Sequence, residues 1–234
     1  TLMDCGEGMD CSGLELPDAQ LELLKALKKT GKTVIAVVIC GRPLVLTQVC
    51  ELADGVILGF YPGPRGGQAI AEVISGRVAP SGRLPVSLPR STGQVPVYYN
   101  YKNSYRAMTY MDEEVGPLFP FGYGLVYGTF EWGTCSLNTE RCNVAALENK
   151  GLTISFSVKN TSERGGYIVP QIYVTDVAAS TVRRVKELKA FQKVWLDAGQ
   201  ERTVSLQLGK EAFCLWNQKM KYVAEPGVFR IELS

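Results

Sequence analysis

The 234-residue sequence carries 25 basic and 23 acidic residues, 46% apolar content and no histidine. Charges this evenly matched leave no basic stripe for nucleic acid, and the longest apolar run, residues 33–40, is far short of the ~20 residues that cross a bilayer. Without histidine there is no Ser-His-Asp or Cys-His catalysis and little basis for zinc or iron. Chemistry therefore falls to carboxylates, Lys, Tyr, Cys or backbone groups. The expectation is no cofactor, no nucleic acid and no membrane.

Residues 1–20, TLMDCGEGMDCSGLELPDAQ, hold Glu7 between Gly6 and Gly8, on what reads as a loop after a strand. Glycines let a loop take unusual dihedrals and approach a ligand closely. Taken alone, Glu7 has two readings, a functional carboxylate or a solvated loop glutamate. Asp10 reads as a loop hydrogen-bonder. From Pro17 the pattern is helical, with Leu21, Leu24 and Leu27 on one stripe, Lys25, Lys28 and Lys29 in the last turn, and Gly31 at the end. Residues 33–40 read as a strand apolar on both faces, the mark of a parallel sheet. A short helix over Leu44–Leu52, a second buried strand over Asp54–Phe60 and a third helix over Gln68–Ser75 follow. The intervening Pro62–Gly67 reads as a packing turn, since it lacks the Lys and spacing of a phosphate loop.

This alternation implies right-handed crossovers on a mostly parallel α/β sheet. Two strands are too few for one, and the chain opens on an apparent strand end. The expectation is that Thr1 lies partway through an α/β domain whose first half is absent. The open edge and uncovered face then predict a chain that swaps elements, forms a homo-oligomer, or belongs with the rest of a longer protein.

Residues 91–129 change character. Tyr98, Tyr99, Tyr101, Tyr105 and Tyr110 are too many rings for a solvated linker, and the stretch reads as a strap pinned to domain surfaces. Tyr105, Arg106 and Tyr110 have a second reading, as the lining of a sugar subsite. From Phe130 the period is two, clearest in 152–158. Further strands fall near 168–174, 186–195, 201–208 and 227–233, the pattern of a seven-stranded immunoglobulin-like sandwich. The tryptophans at 132, 195 and 216 read as core. The domains are then 1–90, the C-terminal half of an α/β domain; 91–129, the strap; and 130–234, the all-β sandwich. Seven cysteines without a C-x-x-C pair read as buried free thiols in a reducing setting. This favours the cytoplasm and leaves a Cys135–Cys142 bridge open.

The order of short motifs resembles glycoside hydrolase family three. These are E-x-x-D with L-x-L-P-x-x-Q (Glu7, Asp10, Leu14, Leu16, Pro17, Gln20), G-x-P (Gly41, Pro43), Y-P-G-x-x-G-G (61–67), P-S-G-R-L-P (80–85) and P-F-G-Y-G-L (120–125). V-K-N-T (158–161), Q-I-Y-V (171–174), K-E-L-K-A-F (186–191) and E-P-G (225–227) resemble the fibronectin type III-like module that ends bacterial β-glucosidases and β-xylosidases of this family. The resemblance implies a retaining glycosidase acting on oligosaccharides or other β-glycosides. Its nucleophilic Asp would lie in an N-terminal barrel outside this chain, and its acid/base would be Glu7 or a carboxylate upstream of it. Such enzymes use two carboxyls ~5–5.5 Å apart, the donor with a raised pKa. Cys11 stands where the family pattern commonly has Arg. The alternative is a non-catalytic carbohydrate-binding or assembly module.

Overall fold

The computed structural model describes residues 8, 11–103 and 110–234. They separate into two compact units. The first holds the chain up to Val78, Leu84–Tyr99 and the stretch ending at Tyr123, and the second holds Ala79–Arg83, the stretch from Asn100 and Gly124–Ser234.

The first unit runs α1 (Asp18–Lys28), β1 (Ile35–Val38), α2 (Thr47–Leu52), β2 (Gly55–Leu58) and α3 (Gly66–Ile74). Pro17 precedes α1, and its carbonyl accepts from Gln20 and Leu21 at 2.9 and 3.3 Å. Asp18 and the pair Lys25 and Lys28 sit at the ends the helix dipole favours. β1 and β2 pair in parallel from Ile35↔Gly55 to Val38↔Leu58. Val38, Cys40, Leu46, Val49 and Leu88 form the buried core, with Leu21 and Leu24 of α1 packed against it.

The strand expected over residues 33–40 is only four residues long, and one of its faces is open. Ile35, Val37 and Ile39 are 44%, 38% and 48% exposed. No residue of α1 is buried, and Leu23 is 61% exposed. An apolar pattern shows what a strand can bury; burial itself needs a partner on each face.

Residues 84–88 lie beside the last part of the strap, 118–123, in this unit. Leu84 and Leu88 donate to the carbonyls of Tyr123 and Phe119 at 2.8 and 2.9 Å, and Gly122 donates back to Leu84 at 2.8 Å. Stacked rings, Tyr99 on Phe121 at 4.0 Å and Phe119 on Tyr123 at 4.9 Å, pin them. The glycine motifs mark close approaches. A side chain on Gly41 would collide with the Tyr61 ring, and one on Gly66 would meet Pro62 Cβ at 2.6 Å. This matches the packing-turn reading of 62–67.

The second unit is all antiparallel. It runs β3 (Phe130–Leu137), α4 (Val144–Lys150), β4 (Leu152–Asn160), β5 (Gly166–Ile168), β6 (Gln171–Asp176), β7 (Glu187–Phe191), β8 (Val194–Leu196), β9 (Glu201–Leu208), β10 (Cys214–Trp216), β11 (Tyr222–Ala224) and β12 (Phe229–Leu233). The sheets are β3-β4-β9, β12-β6-β7, β5-β8 and the hairpin β10-β11. β4 is buried at Leu152, Ile154, Phe156 and Val158, which join Ile168, Ile172, Leu196 and Leu208 in one core. Asn160 lies fully buried among them. Its Nδ2 donates to Arg164 and Leu196 carbonyls at 2.8 and 3.3 Å, and its Oδ1 accepts from Ser162 N at 3.0 Å. Each polar atom is thus satisfied, which is what allows it there.

Three details depart from the sequence reading. The β-rich region splits into more and shorter strands than seven, because turns at 192–193 and 217–221 interrupt the runs. α4 was not expected, although Asn143 caps it by accepting from Ala146 N at 2.8 Å and Gly151 ends it at φ 65°. The tryptophans are not core: Trp132, Trp195 and Trp216 are 46%, 44% and 60% exposed. Two of them pair with other rings at the sandwich surface, Trp195 with Tyr167 at 4.8 Å and Trp216 with Tyr222 at 5.3 Å, while Trp132 lies against the buried Phe156 at 5.6 Å. Cys135 and Cys142 are both free and exposed.

Candidate active site

Glu7, Asp10, Tyr105 and Arg106 lie outside the described residues. The described neighbours of Glu7 begin at Gly8, whose φ of 70° is a conformation glycine adopts without strain. The loop then leads into a tightly held stretch at 13–16.

Leu14 is fixed on both sides of its peptide. Its carbonyl accepts from Val45 N at 2.8 Å, and its own N–H lies 3.0 Å from Glu15 Oε2. Glu15 Oε1 accepts from Thr92 Oγ1 at 2.8 Å, across 77 positions of sequence. That hydroxyl, more than any other group, holds the Glu15 carboxyl below its usual range, with the backbone N–H groups adding to it. Glu15 is therefore an ionised anchor and the wrong kind of group for a proton donor, which needs a raised value.

Thr92 belongs to a short 3-10 turn, Thr92–Gln94, that also grips the other end of the strap. Gln94 is buried. It accepts from Arg90 N at 2.8 Å and donates to Glu114 and Gly116 carbonyls at 3.2 and 3.1 Å. Ser91 donates to Glu113 at 2.7 Å, and Arg90 pairs with Glu114 at 2.8 Å. The carboxylates of this cluster, Glu15, Glu113 and Glu114, are all engaged. One three-residue turn thus ties the stretch after Glu7 to the stretch after the Tyr105–Arg106 segment.

Sequence reasoning missed Glu15, Thr92 and Gln94. No local pattern links residues this far apart, and Thr92-Gly93-Gln94 reads as an ordinary turn. Tyr110 is described and 40% exposed. Among the described residues no group of three His, Cys, Asp or Glu side chains could hold a metal, and no helix is long and apolar enough to cross a membrane.

Residues 1–127 match the glycosyl hydrolase family 3 C-terminal domain, and residues 168–234 match the fibronectin type III-like domain. The chain belongs to glycoside hydrolase family 3. A periplasmic beta-glucosidase of Salmonella typhimurium is 42% identical over 96% of this chain and 30% of its own length. A beta-xylosidase of Formosa agariphila is 42% identical over 98% of this chain and 32% of its own length. A beta-glucosidase from Listeria innocua, solved in complex with gluconolactone, superposes with a TM-score of 0.91 at 38% identity, over 98% of this chain and 32% of that one. The same Listeria protein, as a D270A mutant with laminaribiose, gives 0.90. The chain thus spans about a third of the length of the relatives it matches. Its first unit is the α/β domain of this family, and its second is the fibronectin type III-like sandwich.

Proposed function

We propose that this chain is the C-terminal portion of a retaining β-glycosidase, a β-glucosidase or β-xylosidase, that removes terminal β-linked sugars from oligosaccharides or other β-glycosides. The observation that carries the reading is the family match over residues 1–127, which includes the Glu7 loop. Glu7 is the general acid/base and protonates the departing glycosidic oxygen. The nucleophilic Asp lies in an N-terminal barrel, in the same polypeptide or a partner chain, that completes the site. Tyr105 and Arg106 bind substrate, the ring against the sugar's C–H face and the guanidinium at its hydroxyls. The domains are 1–90, 91–129 and 130–234.

Two features support this. Glu15, Thr92 and Gln94 hold the loop after Glu7 and the strap in one place, the rigidity an acid/base needs to meet its proton acceptor. The free edge of β1 and the bare Ile35–Val37–Ile39 face call for further structure to cover them. The isolated chain has no turnover. In the full-length enzyme, Glu7→Ala slows glycosides with poor leaving groups by ~10²–10⁴ and spares activated aryl glycosides. Equal loss on both substrates rules out Glu7 as the donor.

The exposed Trp216–Tyr222 pair favours a second reading of the sandwich, as a carbohydrate-binding surface. Calorimetry of the chain with glucose, xylose and cello-oligosaccharides tests it, and folded protein that gives no heat counts against it.

A further inference from the structure

The loop between β6 and β7 meets two carboxylates in opposite surroundings. Asp176, where β6 ends, has a side chain only 5% exposed. Arg183 of the loop folds back toward it, but Nε stops 3.7 Å from Asp176 Oδ2, beyond hydrogen-bond length. Arg183 Nη2 is spent elsewhere, 3.1 Å from Glu187 and 3.4 Å from the Cys214 carbonyl. Among the described residues, Asp176 Oδ1 and Arg183 Nε are both buried with no hydrogen-bond partner. A buried pair in this geometry gains too little attraction to offset its lost hydration, and each orphaned atom adds to the cost. A proton on Asp176 would remove the buried charge and give the carboxyl a donor.

Glu225 is the reverse case. It accepts from Ser180 N and Oγ at 3.0 and 2.6 Å, bonds that favour its charged form. The other charged groups around Asp176 are Arg183 and Arg184 of its own loop, Glu187 of β7, and Arg230 of β12, which lines the same cavity. Burial pushes the Asp176 carboxyl above its usual range, and the Arg183 charge and the Ala178 N–H pull against it without cancelling it. The Ser180 hydroxyl and N–H hold Glu225 below its usual range.

The same loop grips another part of the chain. Val185 N–H donates to the Tyr101 carbonyl at 2.9 Å, and Arg184 Nη1 donates to the Asn100 carbonyl at 2.9 Å. Lys102 and Arg184 form an isolated antiparallel bridge. Residues 100–102 thus add a short rung beside the start of β7.

We propose that the β6–β7 loop is a pH-sensitive clasp on residues 100–102, closed most firmly in mildly acidic solution, where Asp176 has taken up a proton and Glu225 still carries its charge. Opening the loop returns Asp176 to water, where it titrates near ~3.9. Its contribution to closure is therefore full below that value and is lost as pH rises through the higher closed-loop value. Glu225 works the other way. Its contribution is present above ~4.3 and is lost as pH falls through the lowered value.

The test is amide hydrogen exchange of the full-length enzyme at pH 5 and pH 7.5, read as protection factors so that the intrinsic pH dependence divides out. Residues 177–185 and 100–102 should be several-fold less protected at pH 7.5, with at most about 10-fold per pH unit, the limit for one proton. β4 should not change. Asp176→Asn, neutral at both values, should stay as protected at pH 7.5 as the parent is at pH 5. Equal protection of the parent loop at both values overturns the clasp, as does a fall that β4 shares. An Asp176→Asn loop less protected than the parent at pH 7.5 also overturns it, because the charged pair would then be what holds the loop. The parent profile needs no variant, so it decides the matter even if Asp176→Asn does not fold.

Discussion

β4 of the sandwich and β1 of the α/β domain are both apolar strands, yet they end differently. β4 buries Leu152, Ile154, Phe156 and Val158 to 5% exposure or less, because β3 and β9 flank it and the opposing sheet closes over its inner face. β1 buries only Val38 of its four residues and, among the described residues, pairs only with β2. The difference lies in the partners present, not in the residues. The sandwich completes its own core within about a hundred residues, a usual size for such a domain. Among the described residues, the α/β domain leaves one face of β1 exposed, at Ile35, Val37 and Ile39.

The comparison can be broken most directly in the two cores. Phe156→Ala should cost ~3–5 kcal/mol, measured as lost hydrogen-exchange protection in β4. Leu46→Ala, equally buried at 1% in the α/β core, should fall at the low end of the ~2–5 kcal/mol range, because an open-sided site can collapse around the gap. Equal losses would mean the α/β core is as complete as the sandwich.

Asn160→Ala should cost about 2–3 kcal/mol in urea unfolding, since it leaves buried partners unpaired. A loss below about 0.5 kcal/mol would mean the network does not hold the β4 turn.

Val37→Lys sharpens the contrast in another way. Placed on the bare face beside a free edge, the charge should leave stability within ~0.5 kcal/mol and convert a self-associating isolated chain to monomer by light scattering. A parent chain that is already monomeric would contradict the open-edge reading.

The smallest effect expected is electrostatic. Ser180 holds the Glu225 carboxyl below its usual range, first through its hydroxyl and then through its N–H. A lowered folded value means stability that is present above the unfolded value, near ~4.3, and lost as pH falls through the folded one. Ser180→Ala should therefore lower the melting temperature slightly at pH 7, and the gap should close by about pH 3. A gap that persists in acid would assign the effect to packing.

The α/β-then-sandwich order could be read from residue patterns alone, because the change from a helical period to a period of two follows from which positions can face a core. The chain's family could also be read there, since Gly41 under Tyr61 and Gly66 against Pro62 are close approaches that only glycine permits, and such constraints stay in the sequence. What needed the fold was everything set by distant partners. Glu15 meets Thr92, Gln94 clamps 114–116 and Arg184 holds Asn100 through contacts between residues far apart in the chain, which no local period encodes. The tryptophans follow the same rule: alternation says a side chain points out of a sheet, and only the neighbouring strands decide whether anything covers it.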